Sequence, residues 1–111
     1  MSGNDRPMSG SGDGGGASQA RFVHGFVRGL VQGVGFRAFT QRTGTALGLS
    51  GWVRNLWDGR VEFEASGPAD RIDEFLARLR QGPRFAEVEA VEVTADQPAA
   101  ASPPTGFQVR F

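Results

Sequence analysis

Apolar and polar residues alternate over residues 21–28 (RFVHGFVR), with Val23 and Val27 on one side and Phe22, His24, Phe26 and Arg28 on the other. A period of two is the mark of a strand with one face on a core. A glycine-rich turn, GLVQGVG, covers residues 29–35. Phe36, Phe39 and Leu47 then fall near helical spacing within residues 36–49, and Gly48 is the expected stop. Gly44 interrupts that stretch, at a cost of about 1 kcal/mol against alanine, so the spacing predicts a helix of uncertain regularity. Two β-type runs, residues 51–55 and 60–66, flank Leu56-Trp57-Asp58-Gly59, a hairpin signal. In the second run Val61, Phe63 and Ala65 share one face, and Glu62 and Glu64 share the face expected in water.

The strongest helix signal follows Pro68. Ile72, Phe75, Leu76 and Leu79 stand at i, i+3, i+4 and i+7, with Asp70, Asp73 and Glu74 in the first turns and Gly82-Pro83 at the end. Residues 86–94 read as a strand whose phase slips between Val88 and Val91, as a bulge allows. A Pro/Ala-rich loop is expected over 95–106, and FQVRF closes the chain with Phe107, Val109 and Phe111 on one face. The order is β-α-β-β-α-β plus a short last strand. It predicts an α+β, ferredoxin-like sandwich with two helices on one face of an antiparallel sheet. The other face is expected to stay open and to carry Phe22, His24, Phe26 and the glutamates.

Residues 1–20 are rich in Gly and Ser and nearly devoid of apolar side chains, which predicts a disordered tail before a domain over 21–111. The 111-residue chain has 12 acidic and 12 basic residues, every base is arginine, and there is no Cys, Lys or Tyr. Disulfides, thiolate and Schiff-base chemistry, and cysteine metal sites are therefore excluded. The lone His24 excludes multi-histidine metal sites and is expected as a sheet-face residue. Zero net charge argues against a nucleic-acid partner. No apolar run spans a membrane and no secretory h-region opens the chain, so the cytoplasm is the expected compartment.

Chemistry is best placed at the glycine turn. Gly33 and Gly35 free the backbone for left-handed conformations, and amides converging at a helix N-terminus suit a phosphate. Arg37 follows, with a planar fork that fits two phosphate oxygens. Other glycine motifs fit less well. Gly33-Val-Gly35-Phe-Arg-Ala38 matches G-x-G-x-x-A, but a hairpin follows where a dinucleotide fold needs a crossover strand. A Walker-A loop lacks its lysine. The aromatic run 35–39 of an RNA-binding sandwich would lie on a strand, whereas here it enters a helix.

Gly29 and Val31-Gln32-Gly33-Val34-Gly35-Phe36-Arg37 resemble the first signature of the acylphosphatase family. Gly51-Trp52-Val53-Arg54-Asn55, with Gly59-Arg60-Val61 and Gly67, is similar to its second. The resemblance covers residues 21–111, and the helix IDEFLARLRQGP fits it too. It implies hydrolysis of acyl phosphates to a carboxylate and inorganic phosphate. It assigns phosphate binding to Arg37 and the loop Gln32, Gly33, Val34, Gly35 and Phe36, and placement of the attacking water to Asn55. It implies no metal or organic cofactor, and a monomer is expected. The alternative is a non-catalytic phosphate- or carbamoyl-phosphate-binding domain of the same fold, as found in larger hydrogenase-maturation proteins; the absence of residues after Phe111 weighs against it. Three positions depart from the family pattern. Trp57 stands where proline is frequent, and Thr43-Gly44 stand where larger helix formers are usual.

Overall fold

A computed structural model of the chain describes residues 19–99 and 106–111. The elements are β1 (Ala20–Leu30), α1 (Phe36–Ala46), β2 (Ser50–Asn55), β3 (Val61–Pro68), α2 (Ala69–Gln81), β4 (Glu87–Pro98) and β5 (Phe107–Arg110). They form one five-stranded sheet in the order β4-β1-β3-β2-β5. The β1–β3, β1–β4 and β2–β3 pairs are antiparallel, and β5 joins β2 in parallel, so the ferredoxin-like sheet is mixed at one edge.

The alternation along β1 and β3 places Val23, Val27, Val61, Phe63 and Ala65 on the buried face. Ile72, Phe75, Leu76 and Leu79 of α2 and Phe36 of α1 close the same core. The ring of Phe75 packs against both Phe63 and Phe107. This burial is the main source of stability, at about 25 cal/mol per Å² of apolar surface removed from water.

The phase slip in β4 is a bulge. Arg28 pairs with Ala90 and Gly29 with Val88, which leaves Glu89 as the extra residue. A second register shift leaves Thr94 extra, between the partners of His24 and Gly25.

Three expectations change. α1 runs unbroken through Gly44, and glycine is required there for space, because a Cβ would enter the ring of Phe107. Residues 95–98, expected in a loop, continue β4, since Arg21 pairs with Pro98 and its guanidinium bridges Asp96 and Asp73. Glu62 is not in water: its side chain is 11% exposed and accepts from His24 Nε2 at 2.7 Å and from Arg54 Nε at 2.6 Å. His24 thus lies on the sheet face away from the helices, as expected. Arg28 and Arg60 are paired as well, with Glu92 and Asp58.

The expected tail falls outside the described residues up to position 18; Gln19 already joins the fold, its carbonyl accepting from Ala69 N–H at 3.0 Å. No helix among the described residues is long and apolar enough to cross a membrane.

Candidate functional site

The cradle between β1 and α1 follows from its glycines. Gly33 and Gly35 have φ of 75° and 78°, and Gly35 is the left-handed residue that starts α1. Both positions are open around the missing side chain, so glycine is needed here for conformation rather than for space. No side chain caps α1, and its first turn holds no acidic residue. Among the described residues, no acceptor takes the N–H groups of residues 33–38. These donors and the positive end of the helix dipole are left to a ligand.

The cradle opens into a cavity of about 300 Å³. Gly33, Gly35 and Arg37 line one part of it, and Asn55, at the end of β2, lines it from the hairpin. Two residues far apart in the chain therefore meet at one site, as the strand order β1-β3-β2 requires. Val31, Phe36, Ala38, Val109 and Phe111 complete the wall.

Arg37 is steered from β5. Its Nη1 donates to the Arg110 carbonyl at 3.3 Å, and its guanidinium carbon lies 4.7 Å from the centre of the Phe111 ring. Neither contact neutralises the charge, and no acidic partner pairs with Arg37 among the described residues. Asn55 Oδ1 is buried and finds no hydrogen-bond partner among the described residues. A buried carbonyl left unpaired costs about 1–3 kcal/mol, and at a cavity wall such an atom is open to an outside donor.

The other loop residues divide. Phe36 lies in the core, and Val34 packs against it. Gln32 does not line the cavity. Its side-chain amide donates to the carbonyls of Leu56 at 2.7 Å and Arg60 at 3.0 Å, tying the cradle to the hairpin that carries Asn55. The roles of Val109 and Phe111 in the wall were not apparent from sequence spacing, because the parallel pairing of β5 with β2 brings them there. Trp57, at the hairpin tip, is fully exposed and does not line the cavity.

The sequence profile of the acylphosphatase family matches residues 23–109. An acylphosphatase of Thermus thermophilus is 60% identical over 67 residues, which are 60% of this chain and 76% of that protein. An acylphosphatase of Moorella thermoacetica is 47% identical over 88 residues, 79% of this chain and 91% of that one. The solved structure of acylphosphatase from Bacillus subtilis superposes with a TM-score of 0.75 at 34% identity, covering 83% of this chain and 99% of that one. Fold and cavity together define a ferredoxin-like α+β domain with a cavity at a helix N-terminus. Within that class, the chain belongs to the acylphosphatase family.

Proposed function

We propose that the chain hydrolyses the carboxyl–phosphate bond of acyl phosphates, with the phosphoryl group held by Arg37 and the amides of residues 33–37, and the attacking water positioned by Asn55. The observation that carries this reading is the buried Oδ1 of Asn55, without a partner among the described residues, on the wall of the cavity that Arg37 also lines. Acylphosphatases aligning over most of their own length support the reaction class.

The chemistry suits so sparse a site. Water forms a bond to phosphorus opposite the acyl oxygen, and the bond from phosphorus to that oxygen breaks. The leaving group is a carboxylate, a weak base that departs without a general acid. The phosphoryl transition state needs charge stabilisation and alignment more than covalent help. Arg37 and the loop amides supply the first. Asn55 accepts from the water through its carbonyl and supplies the second. An amide is no base, so the water's proton passes to a phosphoryl oxygen. Gln32 serves the phosphate site through its backbone, its side chain being engaged with the hairpin.

In this reading catalysis uses no metal; among the described residues no group of three or more His, Cys, Asp or Glu side chains is placed to hold one. Residues 19–111 act alone as a monomer in the cytoplasm, residues 1–18 are dispensable, and nucleic acid is not a partner. The test is incubation with benzoyl phosphate in the presence of EDTA. Substrate loss well above the buffer rate is expected. An unaccelerated rate would overturn the hydrolase, and a strict metal requirement would overturn the mechanism.

A further inference from the structure

The cavity has two chemically distinct ends. Arg37, Asn55 and the cradle amides make one of them polar. The rest of the wall is Val31, Phe36, Ala38, Val109 and Phe111, all apolar. Val31 and Phe36 belong to the core and form its floor, whereas Phe111 is completely exposed. Its ring stays next to the site because the Arg37 guanidinium sits 4.7 Å from its centre. A cation–π contact of this kind occupies one part of the ring and leaves the remainder uncovered.

From this division we infer that Phe111, with Val109 beside it, is the seat of the substrate's acyl group, and that the site selects acyl phosphates with an apolar, above all aromatic, acyl part. The inference rests on the acyl-phosphate reading above and names its substrate class. The reasoning is geometric. In an acyl phosphate the carbonyl carbon is two bonds from phosphorus. A phosphoryl group on Arg37 therefore places the acyl part close to the ring that Arg37 touches. Among the lining residues Arg37 is the only ionisable side chain, and it is engaged by the phosphoryl group. A second carboxylate or an ammonium on the acyl part would find no side-chain partner among the other lining residues. An aromatic acyl group instead covers exposed ring surface and gains an offset or edge contact. Phe111 is in this sense a specificity-determining residue.

The experiment compares kcat/KM for benzoyl phosphate and acetyl phosphate in the unchanged protein, Phe111→Ala and Phe111→Tyr. In Phe111→Ala the benzoyl-to-acetyl ratio is expected to fall about tenfold, the energy of one aromatic contact, and to fall through KM rather than kcat. Phe111→Tyr should restore it. Benzoate should also compete better than acetate against the unchanged protein and lose that advantage in Phe111→Ala. An unchanged ratio in Phe111→Ala overturns the inference. So does an equal loss on both substrates, which would mean that the ring acts only by placing Arg37. Those two outcomes leave the hydrolase reading standing; inertness of the unchanged protein toward both substrates would instead remove that reading, and this one with it.

Discussion

Gly44 and Phe107 share one space: the ring of Phe107, on β5, lies where the first side-chain carbon of Gly44 would be. α1 thus has a flat spot, and the edge strand packs directly on helix backbone. Gly44→Ala improves helix propensity by about 1 kcal/mol. It also forces a methyl group into a ring that is already packed on Phe75, and such overpacking costs about 1–3 kcal/mol or more. The expected result is a net loss of about 1–2 kcal/mol, read as a lower urea midpoint at unchanged m. A gain in stability would mean that Phe107 moves aside freely.

Arg37 and Asn55 should fail differently. Arg37→Lys keeps a positive charge but loses the planar fork, so kcat/KM for benzoyl phosphate should fall at least ~100-fold, with weaker inhibition by phosphate. Asn55→Ala should lower kcat by about 10²–10³ while inhibition by phosphate stays close to normal, since the proposed mechanism then loses the water's holder and keeps the anion's. Circular dichroism should be unchanged in both. Matching effects on phosphate inhibition would contradict the division of roles.

Gln32 offers a separate test, because its side chain binds the hairpin and not the cavity. Gln32→Ala leaves the carbonyls of Leu56 and Arg60 without this donor. A stability loss of about 1–2 kcal/mol is expected. Turnover should fall about tenfold through loosened placement of Asn55, with phosphate inhibition changed much less. A large rise in the phosphate inhibition constant would show that the side chain itself binds the anion.

Glu62 sets the acid limit of the sheet face. Burial alone would raise its pKa, but the hydrogen bonds and charges of His24 and Arg54 outweigh burial and hold it below the ordinary glutamate value. A carboxyl lowered in the folded state stabilises the fold above its unfolded pKa, and that contribution is lost as the pH falls through the lower folded value. Glu62→Gln should therefore cost about 1–3 kcal/mol near pH 6, with the gap to the unchanged protein closing as the pH drops below about 4.5. Unfolding midpoints measured from about pH 6 down to about pH 2.5, through the window below the unfolded value, test this, and a gap that widens toward acid would reverse the sign.

The parts of the fold legible in the sequence are those governed by local periodicity. The spacing of Ile72, Phe75, Leu76 and Leu79 defines α2 from a stretch of 13 residues, and all four are buried. The paired glycines before Arg37 likewise mark the cradle by local geometry alone. What was misread depends on partners distant in the chain. Glu62 alternates like a solvent-facing residue, yet His24 and Arg54 reach it from the two neighbouring strands. Gly44 looks like a helix fault until Phe107 is placed beside it. Residues 95–98 lack strand alternation and are held by pairing with β1 and by Arg21. The apolar half of the cavity is illegible in the sequence for the same reason, since Val109 and Phe111 reach it only through the parallel pairing of β5.

That parallel edge also has a kinetic meaning. The contact between Arg37 and the Arg110 carbonyl closes a separation of 73 positions, and β5 is held in the sheet by β2 alone. The cradle is local and can form early; the completed cavity has to wait for a long-range closure of the chain, the slow kind of step in folding. The proposed anion affinity would therefore be a property of the finished chain topology rather than of its first fifty residues. Phosphate added to a refolding mixture should leave the early phases untouched and draw the population toward the native state only after that last strand has docked.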